Sequence, residues 1–125
     1  MVRSVVSMIC VGLILFIGAI AESHYISAHF SEFYTEVSAV YDKVQEETAT
    51  ENDVYALQDK WLYYKKSLHA FVPHSEIKEL DLWIAEAVKL VEKEKWEDAL
   101  SKLEVIKELS EEIPKNFILS LENIL

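Results

Sequence analysis

Glycine is nearly missing from this chain, and where it occurs it cannot shape a binding loop. Of 125 residues only Gly12 and Gly18 are glycine, and both fall inside an uncharged apolar stretch. A phosphate-cradling loop needs glycine in a turn, so nucleotide loops of that kind are excluded. Cysteine occurs once, as Cys10. An internal disulfide, a Cys-x-x-Cys redox pair and a thiolate zinc cluster are excluded with it. Cys10 itself reads as an apolar filler, and the bulky Ile9 before it argues against lipoprotein processing. Neither His-Glu-x-x-His nor a Glu-x-x-His pair is present, and no serine lies in a nucleophile motif. The chain therefore reads as non-enzymatic, with no catalytic residue and no cofactor expected.

Charge is absent from one end. Between Arg3 and Glu22 the residues from Ser4 to Ala21 carry none. As a helix this run would extend about 27 Å, close to the apolar thickness of a bilayer. It predicts an N-terminal membrane anchor over residues 1–21, longer than a usual signal core of about 7 to 15 residues. Ala19-Ile20-Ala21 also fits a secretory cleavage site, so secretion after cleavage following Ala21 is the alternative. Arg3 and the amino terminus lie on one side of the run, and Glu22, Glu32 and Glu36 open the other. The expected topology is single-pass in the cell membrane, N-terminus cytoplasmic and body extracytoplasmic.

The body, residues 22–125, is acidic. Twenty-two Asp and Glu against eleven Lys leave it a net charge of −11. Such a surface repels phosphate backbones, which excludes nucleic acid, and it offers no polybasic patch to anionic lipid. Its size suits one domain with its own core.

Helical patterning fills that body. Ile26, Phe30, Phe33, Val37, Val40 and Val44 alternate steps of four and three, which predicts a first helix unbroken from about Ser4 to about Glu47. Thr50-Glu51-Asn52-Asp53 has the form of a capping box. It opens a second helix, near 51–71, whose seam is Val54, Leu57, Trp61, Tyr64, Leu68 and Phe71 and which Pro73 stops. Ser75 is the expected cap of a third, near 75–93, bearing Ile77, Leu80, Ile84, Ala87, Val88 and Val91. After the charged turn Glu94-Lys95 a fourth runs near 96–113, with Trp96, Ala99, Leu100, Leu103, Ile106, Leu109 and Ile113, and ends at Pro114. Short connections force antiparallel neighbours. The predicted fold is all-α: an N-terminal transmembrane helix continuous with an antiparallel four-helix up-down bundle. Phe33, Val37, Leu57, Trp61, Leu68, Ile84, Val88, Leu100 and Leu103 are expected in its core. Trp61, Trp83 and Trp96 read as packing residues. The 35-residue spacing of Trp61 and Trp96 equals five heptads and needs no solenoid repeat.

Two features could carry function. His24 and His29 begin the first helix beyond the run, while His69 and His74 close the second and enter the next turn. An antiparallel pairing brings all four to the membrane-proximal end. Imidazoles titrate near neutrality, so this cluster is the candidate for pH sensing or metal binding, though His24 and His29 point about 140° apart and share an ion poorly. The other feature is the C-terminal strip Phe117, Ile118, Leu119, Leu121, Ile124 and Leu125. Even helix parity returns it to the bilayer side, where it either packs on the bundle or meets headgroups or a partner's membrane helix.

Trp61, the sequence His74-Ser75-Glu76-Ile77, Ile113-Pro114 and the ending Leu119-Ser120-Leu121-Glu122-Asn123-Ile124-Leu125 together resemble a bacterial family, domain of unknown function 4363. The resemblance covers essentially the whole chain and departs from the family pattern at Pro73 and Lys78. It implies a short protein with one hydrophobic N-terminal segment and a helical remainder, and it brings no activity, cofactor or partner. The reading that follows is an anchored interaction or regulatory module for another membrane or envelope protein.

Overall fold

The computed structural model describes residues 1–69 and 72–124, and at 117, 118, 120–122 and 124 the description is of the backbone alone. Its elements are α1 (Val2–Gln45), α2 (Glu51–Leu68), α3 (His74–Glu92) and α4 (Trp96–Ile124), with no strand among the described residues. From Ile20 to Gln45 no Gly or Pro interrupts α1, so the helix of the apolar run propagates directly into the body. All six seam residues, Ile26 to Val44, are buried, whereas Val2 to Ile17 are uncovered.

Reversals without glycine need another device. After α1 the amide of Thr48 donates to the carbonyl of Lys43 at 2.8 Å and that of Glu47 to Val44 at 3.0 Å. After α3, Lys95 donates to Leu90 at 2.9 Å and Glu94 to Val91 at 3.0 Å. Both patterns are Schellman closures, which place one residue in left-handed geometry. Here that residue is glutamate each time, Glu47 at φ 60° and Glu94 at φ 55°. The capping box at α2 forms as the sequence indicates: the Asp53 amide donates to Thr50 Oγ1 at 3.3 Å, and the Thr50 amide donates to Asp53 Oδ2 at 2.9 Å. The Thr50 backbone donor, followed by Lys43, whose Nζ lies 3.0 Å from the carboxylate, holds Asp53 below the usual carboxylate range.

Three boundaries differ from the sequence reading. First, α2 ends at Leu68, capped by His69, rather than near 71; Phe71 lies outside the described residues. Second, Ser75 is not the cap of α3. The helix starts at His74, and the carbonyl of Pro73, set by its fixed φ of −54°, accepts from the amides of Glu76 and Ile77. Third, Pro114 does not end α4, which continues to Ile124. A mid-helix proline costs about 3 kcal/mol and leaves the carbonyl four residues earlier, that of Ser110, without its helical donor. Against that stands packing. The buried row Ala99, Leu103, Ile106, Ser110 and Ile113 lies along α1, and the same spacing recurs in sequence at Phe117, Leu121 and Ile124.

Each helix packs on its neighbours in sequence and α4 returns to α1, closing a four-sided ring. Of the expected core residues all are buried except Leu100, which is half-covered at its edge. Trp61, 1% exposed, packs on Phe33 with ring centroids 5.5 Å apart. Its indole Nε1 donates to Asp81 Oδ1 at 2.6 Å, while Lys65 Nζ lies 2.7 Å from Oδ2. One carboxylate thus satisfies the buried indole and fixes the register of α2 on α3. Trp83 and Trp96 pack against the core from its margin, Trp83 beneath the Lys102 ammonium at 4.6 Å.

A non-glycine residue in left-handed geometry costs about 1 to 2 kcal/mol, and glycine returns part of that through its freer unfolded chain. Glu94→Gly is therefore expected to stabilise the bundle by up to about 1 kcal/mol in a chemical denaturation series. A loss of stability would show that Glu94 is held by interactions other than the turn.

Candidate functional site

The end of the bundle next to the apolar run is built by the pairing of α1 with α2. Descending from the far turn, Lys43 meets Asp53, Lys60 meets Glu36, Phe33 meets Trp61, and His29 meets Tyr64. One step down α1 matches one step up α2, so the end of α2 and the α2–α3 turn arrive beside the segment that follows the apolar run.

The histidines join pairwise. His69 and His74 stack with ring centroids 6.1 Å apart and planes at 23°. His29 lies between two tyrosines, 4.1 Å from the Tyr25 centroid and 5.2 Å from that of Tyr64. His24 is exposed on α1. Among the described residues no three His, Cys, Asp or Glu side chains group so as to hold a metal ion.

Around Tyr64 stand the carboxylates of Glu32 and Glu36, the latter paired with Lys60. Burial first, then the Glu36 and Glu32 carboxylates, push the Tyr64 hydroxyl up to about 12. Glu36 receives Lys60 on one oxygen, and its other oxygen, Oε2, is buried without a hydrogen-bond partner. An open cavity of about 490 Å³ beside this group is lined by His29, Glu32, Asp59, Lys60, Tyr63 and Tyr64. This aromatic and acidic grouping escaped sequence reading. The i, i+4 spacing of Tyr25 and His29 was its only local trace, because Tyr64 is thirty-five residues from His29 in the chain. Asp81 was missed for the same reason: its partner Trp61 is on another helix.

On the opposite flank α4 runs antiparallel along α1. Lys107 Nζ sits 4.5 Å over the Tyr41 ring and 5.7 Å over that of Tyr34. Further down, a cavity of about 350 Å³ opens between Ser27, Phe30 and Tyr34 of α1 and Ser110, Pro114 and Lys115 of α4. Ser110, 2% exposed, donates its hydroxyl to the Ile106 carbonyl at 2.7 Å. Of the C-terminal strip, Leu119 is 55% exposed, while the side chains of Phe117, Ile118, Leu121 and Ile124 and all of Leu125 lie outside the described residues.

Fold and site together define an all-helical protein whose first helix is long and apolar enough to cross a membrane, as an anchor or as a signal sequence. The chain matches the model of the domain of unknown function DUF4363 over residues 20–124 and belongs to that family. Neither a curated protein nor a solved structure matches it.

Glu76, in the first turn of α3, has its carboxyl raised above the usual value, chiefly by burial and then by Glu79. A raised carboxyl destabilises the fold while ionised, and that cost disappears as pH falls through the folded value toward the unfolded one near 4.5. Glu76→Gln should accordingly raise the Tm at pH 7, with the gain over wild type shrinking to nothing near pH 4. Parallel Tm curves across that range would place the strain elsewhere.

Proposed function

We propose that this chain is a single-pass anchored module of the cell membrane: residues 1–21 hold it in the bilayer and residues 22–125 stand outside as a non-enzymatic binding body for another membrane or envelope protein. The carrying observation is the continuity of α1. Val2 to Ile17 are uncovered, and the same helix enters the core at Ile26 without a break. A wholly apolar uncovered helix is stable only in lipid, and an unbroken one leaves no extended segment for signal peptidase. Arg3 before the run and the acidic body after it support the outward orientation. For the binding role the support is exclusion. The constellations that catalysis needs are absent from the sequence, while Leu62, Tyr63 and Leu82 stay exposed on α2 and α3.

Topology is tested in intact cells with Cys10→Ser carrying a new cysteine at Leu82 or at Val2. An impermeant maleimide should reach position 82 and spare position 2. The reverse pattern refutes the orientation, and recovery of the chain in the medium refutes the anchor. For the partner, photo-crosslinkers at positions 62, 63 and 82 should give one recurrent adduct with another envelope protein; adducts at none of the three would refute a partner on that face.

A second reading, pH sensing or metal binding at the histidine end, is favoured by the stacked pair His69–His74. Zinc should then raise the Tm of the wild type and leave that of His69→Gln unmoved. Equal responses would sink it.

A further inference from the structure

The level that α4 reaches has a consequence at the bilayer. Lys107 lies over Tyr41 and Tyr34, and Pro114 and Lys115 face Ser27 and Phe30 across the lower cavity. In this antiparallel register each residue added to α4 descends past one residue of α1. From Pro114 to Ile124 the helix continues for about 15 Å at the usual rise. Leu119 then falls level with His24 and Tyr25, Asn123 with Ile20 and Ala21, and the last turn comes alongside Ala19. That is the outer end of the apolar run.

The exposure of α1 changes at the same place. Val2 through Ile17 are uncovered, Gly12 included, but Gly18, Ala19, Glu22 and Ser23 are half-buried. The change falls at the level to which the register brings the end of α4. Its composition suits the position: from Asn116 to Leu125 the one charge is Glu122, among Phe117, Ile118, Leu119, Leu121, Ile124 and Leu125. At the same level Tyr25 is 39% and Leu119 55% exposed, one from each helix.

We infer that the last two turns of α4 are a second membrane contact, lying in the headgroup region of the bilayer that α1 crosses, with Leu119 and Tyr25 turned to lipid. The inference rests on the anchored reading above. Lipid is the occupant because the fold itself sets the depth: once α1 spans, this surface is continuous with the span and sits at the boundary where aromatic and apolar residues partition. Two attachments, α1 through the bilayer and α4 at its surface, hold the bundle at a set tilt.

The test uses the full chain in phosphatidylcholine vesicles with an environment-sensitive fluorophore at one cysteine. Sites are Leu119→Cys and Leu82→Cys, each in Cys10→Ser, and native Cys10 as the reporter of the span. The expected result is blue-shifted emission at 119, quenched by lipids spin-labelled near the headgroup several-fold more than at 82, with 10 reached by deep quenchers. If 119 is as open to aqueous iodide as 82 while 10 remains in lipid, the second contact is refuted and the anchor stands. If 119 is shielded from both iodide and lipid quenchers, protein covers the strip and lipid is refuted as its occupant. If 10 itself is open to iodide, the anchored reading falls and this inference with it. Leu119→Ser repeats the comparison without a large probe: its circular dichroism should match the wild type, while its Tyr25 environment becomes more polar in vesicles.

Discussion

The buried stripe of α1 is the constraint on which the rest of the molecule depends. Ile26, Phe30, Phe33, Val37, Val40 and Val44 present one apolar line about 27 Å long, and a single line must be covered from two sides to leave water. Helix α2 covers one flank through Trp61 and Tyr64, and α4 covers the other with Leu103, Ile106 and Ile113. Helix α3 then closes the ring opposite. Burying that stripe also bears on Pro114: Ile106 and Ile113 before the proline belong to the row that covers α1, and side-chain burial of about 1.5 to 3 kcal/mol per large residue stands against the lost hydrogen bond.

Helix α1 changes character along one uninterrupted backbone. In its first half apolar side chains are exposed in every direction, a pattern compatible with lipid. In its second half they are confined to the inner face, as water requires. Because the helix runs on from Gly18 to Gln45 without a proline or a break, the bundle inherits the direction of the apolar segment. A flexible stalk would have decoupled the two. The near absence of glycine has a related effect at the far end, where two glutamates occupy left-handed positions so that α1 and α3 can close in tight Schellman turns.

Charge is arranged on the surface of the body and at its joints. Most acidic residues face water, while a few bind helices together: Asp81 takes Trp61 and Lys65, Glu36 takes Lys60, Asp53 takes Thr50 and Lys43. Exposed pairs of this kind contribute little stability individually. The Asp81 pair differs because it also satisfies a buried indole, and it sets which turn of α3 lies against which turn of α2. At the end of α2 the carboxylates of Glu36 and Glu32 stand near Tyr64 and add to the effect of its burial.

Helix number, the buried seams of α1 and α3, most of those of α2 and α4, and the capping box at Thr50 were legible in the sequence, because each depends on residues three or four apart on one helix. So was the apolar run, whose meaning depends on length and the absence of charge alone. The family resemblance was legible too, being a pattern of residues rather than of contacts. Tertiary structure decided what separate helices do to one another. It brought Tyr64 to His29 and Asp81 to Trp61, paired His69 with His74 across a turn, and left His24 apart on the surface. It also overruled a local rule at Pro114. Proline's preference acts on one turn, whereas the burial α4 gains from Ala99 to Ile113 is summed over the face it shares with α1, and no stretch of sequence shorter than the whole bundle contains that sum.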